Sequence, residues 1–199
     1  MFPCVQAMIK FSILIPTIPP RLSREFPSIV SQLNDQIRGS KEIEILGLCD
    51  NFVWSVGAKR NKLLSLASGK FVAFIDDDDV ISGDYIKEIV TTIDANPDIE
   101  LISFQVKMRA DRLIEYEHIK ERVPTGYLEC RHNAAHIYAW RREFVAAHKF
   151  PDVSFGEDAY WAGALLKKNP ASIHIKKFLY TYEFDPFNSE TRNDAPSGE

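Results

Sequence analysis

The chain has 199 residues, 24 basic and 28 acidic, for a net charge of −4, with 45% hydrophobic and 26% charged side chains. That is the composition of an ordinary globular protein large enough for one sizeable core. It excludes a domain-wide basic field of the kind that binds nucleic acid without sequence preference.

Phe11-Ser-Ile-Leu-Ile15 reads as a first buried strand, stopped by Pro16-Thr-Ile-Pro-Pro20. A helix follows, with Leu22, Phe26, Ile29, Val30, Leu33 and Ile37 near a 3.6-residue period; Pro27 kinks it or marks its true first turn, and Gly39 ends it. Ile43–Leu48 is a second strand, with Asp50 and Asn51 just past its carboxyl end. Gly57 opens a helix that carries Leu63, Leu64, Leu66 and Ala67, with Lys59, Arg60 and Asn61 in its first turn. Cations there oppose the helix dipole, so they need another reason: a bound diphosphate is one, a solvated basic face the other.

Phe71-Val-Ala-Phe-Ile75 is a third buried strand and runs straight into Asp76-Asp-Asp-Asp79. Side chains alternate along a strand, so Asp76 and Asp78 should project to one face and Asp77 and Asp79 towards the other. Four adjacent carboxylates repel one another, and a hard divalent cation, magnesium or manganese, is the partner that lets them stay ionised. The plainer reading is a turn and helix N-terminus, since Ser82-Gly-Asp84 begins another helix. Strand, helix, strand, helix, strand is the pattern of a parallel sheet covered by helices, an α/β class in which ligands bind beyond the carboxyl ends of the strands. Asp50 and Asp76–Asp79 both fall there.

Residues 84–95 read as a helix, 96–98 as a turn and 99–104 as a fourth strand. From 105 to 131 the pattern is irregular, with a hairpin-like break at Ala110-Asp111. A short strand at 137–140 and a short helix at 141–148 lead through Phe155-Gly156 into a helix over Glu157–Lys168. Strands at 172–176 and 178–184 close a single domain spanning 1–187, and the polar tail from 188 is expected to be mobile. Cys4, Cys49 and Cys130 are odd in number and form no Cys-x-x-Cys pair, as in a reducing compartment. With no basic leader and no apolar run of membrane-spanning length, a cytoplasmic location is expected.

Several stretches together resemble the family 2 glycosyltransferases of GT-A fold: Ser12-Ile-Leu-Ile-Pro-Thr17, Gly57-Ala-Lys-Arg-Asn61, Phe74-Ile-Asp-Asp-Asp-Asp79, Phe155-Gly-Glu-Asp158 and Leu179-Tyr-Thr-Tyr182, in family order. The resemblance implies a Rossmann-like, mostly parallel sheet with helices on both faces. It also implies inverting transfer from a nucleotide-diphosphate sugar, most often a UDP-sugar, with Mn2+ or Mg2+. Position by position, Asp76-x-Asp78 matches the DXD motif, with Asp78 on the metal and Asp76 on ribose or metal. Asp77 stands beside them on the donor side, and Lys59 and Arg60 fall at the diphosphate. Asp50 matches the acidic residue on the nucleobase, Thr17 the position bordering it, and Asp158 the general base.

Glu157, Trp161 and His136 are expected on the acceptor side. The Arg and His that many members carry after the last motif are missing, and His136, His132 or Arg141 could substitute for them. Arg131-His-Asn-x-x-His136 is also similar to small transferases of bacteriophages, some of which glycosylate hydroxymethylated bases, so modified DNA is a candidate acceptor. A sugar-nucleotidyltransferase would carry a glycine-rich loop after the first strand, where this chain has Pro-Thr-Ile-Pro-Pro-Arg. A degenerate module that only binds sugar nucleotide is the other alternative.

Overall fold

Alternation along two central strands decides the architecture. In the computed structural model, which describes residues 8–110, 127–130 and 135–184, β1 (Phe11–Thr17) is buried at every position and pairs in parallel with both β2 (Ile43–Cys49) and β3 (Phe71–Phe74). Phe11, Ile13, Ile15, Phe71, Ala73 and Ile75 project to one side of the sheet. There they meet Ile29 and Leu33 of α1 (Glu25–Ile37) and Tyr85, Ile86, Ile89 and Ile93 of α3 (Tyr85–Ala95). Leu14, Val72 and Phe74 project to the other side, onto Leu63 of α2 (Val56–Leu66), Val145 of the short α4 (Arg142–Val145) and Trp161, Ala162 and Leu165 of α5 (Glu157–Leu166). Two apolar faces on one sheet require helices on both, and both are covered.

The sheet of the described residues has eight strands in the order β2-β1-β3-β7-β5-β8-β4, with β6 on β5. Here β4 is Val80–Ile81, β5 Leu101–Ala110, β6 Tyr127–Cys130, β7 Ala139–Arg141 and β8 Ser172–Phe184. Because β7 runs antiparallel to both β3 and β5, those two run the same way, as do β1, β2 and β8; five of the eight strands thus run one way, with β7 inserted in reverse and β4 and β6 antiparallel to β8 and β5.

Some boundaries differ from expectation. Pro27 falls in the first turn of α1, where its missing N–H costs nothing. A separate 3-10 turn over Pro19–Ser23 precedes that helix. The fourth strand runs on to Ala110, well past Phe104. The two closing strands are one, β8, whose register on β5 shifts around Phe104–Gln105, so an irregularity rather than a break separates Ile175 from Phe178. The break expected at Ala110-Asp111, His132 and the tail from 188 lie wholly or partly outside the described residues.

One close approach fixes the helix that carries Lys59 and Arg60. A Cβ on Gly57 would sit 1.9 Å from the Pro151 carbonyl oxygen, and its N–H donates to the Val153 carbonyl at 3.1 Å. Only glycine lets the start of α2 lie against the loop that leads into α5.

Candidate active site

The strand β3 ends at Phe74, before the first carboxylate, and residues 77–78 form a turn in which the Asp79 N–H donates to the Asp76 carbonyl at 3.2 Å. The alternation expected from a continuing strand therefore does not apply. Each carboxylate instead leaves the turn towards its own partners. Asp76 lies 2.9 Å from Arg60 Nη2 and 3.3 Å from His136 Nε2. Asp77 accepts from the Thr17 hydroxyl at 2.5 Å and pairs with Arg21 Nη1 at 2.6 Å. Asp78 takes the other arm of the same guanidinium, Nη2, at 2.7 Å. Asp79 turns inward, accepting from the Tyr180 hydroxyl at 2.5 Å and from the Glu183 N–H at 2.8 Å, while that hydroxyl accepts from the Asp76 N–H at 3.2 Å.

These surroundings set the charges. Burial and the neighbouring carboxylates Asp76 and Asp78 push Asp79 well above the usual carboxylate range. For Asp76 burial also pushes upward, but Arg60 and His136 outweigh it and hold the group ionised. Asp78, whose side chain is 34% exposed, is pushed up to about 6, by burial first and then by Asp76 and Asp77, against the pull of Arg21. A carboxyl raised in the folded state stabilises it most below its ordinary value of 3.8 and loses that contribution as pH rises through about 6. Without a divalent cation, Asp78→Asn should therefore melt higher than wild type at pH 7 by about 1 kcal/mol, allowing for its exposure, and match it at pH 4. Equal melting at both values would show that Asp78 carries no such burden.

The second acidic element is the start of α5, where Gly156 adopts a left-handed conformation (φ 77°) before Glu157 and Asp158. Asp158 keeps a side chain 30% exposed; its Oδ1 accepts from the Ala159 N–H at 2.7 Å, and its Oδ2 lies 3.3 Å from His136 Nδ1. The buried imidazole of His136, on the 3-10 turn Ala135–Ile137, thus stands between Asp76 and Asp158. Burial raises Asp158, but His136 and Arg60 outweigh it and hold the group at about 2. Burial and Arg60 lower His136, yet Asp158 and Asp76 raise it above its ordinary value overall.

The cations of α2 turn inward. Lys59, 1% exposed, lies 3.0 Å from Asp50 Oδ1 and donates to the Thr17 carbonyl at 3.4 Å. Arg60, 4% exposed, reaches Asp76 with one nitrogen and Glu157 with another at 3.0 Å, and its guanidinium stands 5.7 Å from the ring centres of both Phe74 and Phe150. A buried charge needs a partner, and carboxylates of the chain supply the reason for placing these cations without invoking a diphosphate. Asp50 Oδ2 also accepts from the N–H groups of Val53 and Trp54, both at 2.6 Å, which holds Phe52 in a left-handed conformation (φ 58°) at the rim.

The structure thus brings Asp76, His136 and Asp158 together, with Arg60 against Asp76 and with Asp78 next along the same turn as Asp76. Trp161 is a correction: it is core, stacked on Phe150 at 4.4 Å, with its indole N–H on the His148 carbonyl. Glu157 is another, buried against Arg60 instead of facing an acceptor. Nor do the Thr17 hydroxyl and Asp77 face outward, since they bond to each other. Arg141 caps the carbonyls of Ile99 and Pro97 and does not reach the site. Sequence reasoning missed Arg21 and Tyr180; for Arg21 the signal was a cation directly after Pro19-Pro20, where the backbone is stiff.

The donor set suits a hard cation. Asp78 offers a partly exposed carboxylate whose charge the neighbouring Asp76 and Asp77 oppose. No group of three or more His, Cys, Asp or Glu side chains among the described residues is assembled around one point, however. Such a cation would take its remaining ligands from a bound anion.

The fold matches that of solved glycosyltransferase structures. TarS of S. aureus in complex with UDP-GlcNAc superposes with a TM-score of 0.69 at 18% identity, covering 92% of this chain and 61% of that one. Glucosyl-3-phosphoglycerate synthase of Mycobacterium tuberculosis in complex with Mn2+, UDP-glucose and phosphoglyceric acid gives 0.62 at 14%, covering 90% and 74%. Mannosyl-3-phosphoglycerate synthase of Rubrobacter xylanophilus gives 0.65 at 13%, covering 92% and 70%. The chain spans only 37% to 61% of the TarS structures. These likenesses define a GT-A fold. The sequence model of glycosyl transferase family 2 matches residues 49–147, which take in Asp50, Arg60, the carboxylate turn and His136 and stop short of Asp158. The chain belongs to that family. No curated protein sequence matches it.

Proposed function

We propose that this chain is a metal-dependent inverting glycosyltransferase that moves a sugar from a UDP-sugar to an acceptor hydroxyl. The observation that carries the reading is the single imidazole of His136, 3.3 Å from Asp76 on one side and 3.3 Å from Asp158 on the other. It puts the donor-side carboxylate and the candidate base at one surface, as an in-line displacement at the anomeric carbon requires.

Asp158 accepts the proton of the acceptor hydroxyl as that oxygen attacks, and it stays ionised because His136 and Arg60 hold its pKa low. Asp78 is the residue that would hold Mn2+ or Mg2+, with Asp76, itself paired to Arg60 and His136, adding negative charge beside it; the ion would offset the charge of the leaving diphosphate. Asp50 and Thr17 lie at the carboxyl ends of β2 and β1, where a nucleobase is received in such sheets, and Lys59 keeps Asp50 in place. On the acceptor side Tyr160 and Phe155 are exposed beside Asp158, and flat aromatic faces suit a sugar or a base. The similarity to phage transferases makes a hydroxymethylated base in DNA the first acceptor to try.

Thermal unfolding with UDP, GDP, dTDP or CDP, each with and without Mn2+, tests the donor. A ligand at about 100 times its dissociation constant adds roughly 2.7 kcal/mol. A Mn2+-dependent rise with UDP that Asp78→Ala loses is the expected result. No rise with any nucleotide would overturn the reading in favour of a domain without donor binding.

A further inference from the structure

Three of the four carboxylates at the turn already have both oxygens occupied by groups of the chain. Asp76 is held by Arg60 and His136, Asp77 by Thr17 and Arg21, and Asp79 by Tyr180 and the Glu183 N–H. Asp78 has the most exposed carboxylate of the four, 34% against 25% for Asp76, and its side-chain partner is the Arg21 fork that it shares with Asp77. The Arg21 fork bridges two neighbouring carboxylates at 2.6 and 2.7 Å from a turn begun by Pro19-Pro20, whose fixed φ angles limit where it can go.

We infer that Arg21 is the built-in counter-cation of the carboxylate turn, and that it keeps a divalent ion from binding tightly until a nucleoside diphosphate arrives with it. The inference deepens the donor reading above and rests on it. One carboxylate beside a guanidinium is a poor site for a bare dication: it offers few oxygens, and the two cations repel at short range. Diphosphate oxygens reverse both defects. They complete the coordination of the ion, and their negative charge faces Arg21 as well as the metal. The chain therefore needs no resident metal to keep its acidic turn folded, and ion and donor bind as a pair.

The test is a Mn2+ titration of the whole chain, followed by the electron paramagnetic resonance of free Mn2+, on wild type, Arg21→Ala and Arg21→Gln, without and with UDP. Wild type should bind Mn2+ weakly alone and much more tightly with UDP. Removing the Arg21 charge should tighten binding of Mn2+ alone by about tenfold or more and shrink the gain from UDP. Arg21→Gln keeps a hydrogen-bond donor for buried Asp77, so a folded variant is available if Arg21→Ala melts. Unchanged or weaker Mn2+ binding in a folded Arg21 variant overturns the inference. Failure of wild type to bind UDP at saturating Mn2+ overturns the donor reading instead, while the titrations with Mn2+ alone still decide the role of Arg21.

Discussion

Asp158→Asn should lower kcat by about a thousandfold while leaving UDP-sugar binding nearly unchanged, as read from UDP release and a donor titration. The amide is isosteric, so the start of α5 and its contact with His136 survive, but it cannot accept a proton. The pH dependence carries the same information. A carboxyl held at about 2 is ionised across the working range, and the stability it lends is present above its ordinary 3.8 and lost only as pH falls through about 2. The kcat profile should therefore show no acid limb from Asp158 above about pH 3. His136→Asn should bring such a limb into view by removing one of the groups that hold the carboxyl low. Transfer that persists in Asp158→Asn would show that another group is the base.

The largest effect on stability should come from Arg60→Ala, with an expected loss of about 3–5 kcal/mol in urea unfolding. Arg60 is the shared partner of Asp76 and Glu157 and is packed near the rings of Phe74 and Phe150. Truncation leaves two carboxylates without their cation and a hole beside two aromatic rings. Against a typical domain stability of about 5–15 kcal/mol, such a loss brings the fold near its threshold. Arg60→Lys should recover only part of it, since a single ammonium cannot fork to both acids. Adding Glu157→Gln to Arg60→Ala should restore some stability by removing one unpaired charge. A loss under about 1 kcal/mol would mean that the network is solvated, and that Arg60 is not its hub.

The parts of the fold legible in the sequence were those set by short-range periodicity. Alternation in Phe11–Ile15 and Phe71–Ile75 sorts their side chains onto two faces, and the helical spacing of Ile29 and Leu33 follows directly. The short strand at 137–140 was legible too, though β7 starts later, at Ala139, after a 3-10 turn; its antiparallel insertion between β3 and β5 was not, because three residues carry no pattern that sets their direction. The family resemblance pointed to Asp76, Asp78 and Asp158, and chemistry to a cation, but no local rule says which way a charged side chain turns. Lys59 and Arg60 read as cations awaiting a phosphate because their partners, Asp50, Asp76 and Glu157, are distant in the chain or follow from tertiary packing. Trp161 illustrates the same gap: position on a helix close to the candidate base does not reveal which face is buried.

The paired supports of the site also constrain its inheritance. Arg60 on α2 answers to Glu157 on α5, Gly57 admits the backbone at Pro151, and His136 serves acids from two other segments. A recombination that exchanged 150–158 for a relative's loop would import a partner for an arginine, and a neighbour for a glycine, that the remaining chain had not been selected to match. The segment bearing the proposed base and the helix bearing Arg60 therefore form one module, and new acceptor specificities are easier to graft at the exposed side chains of Phe52, Phe155 and Tyr160.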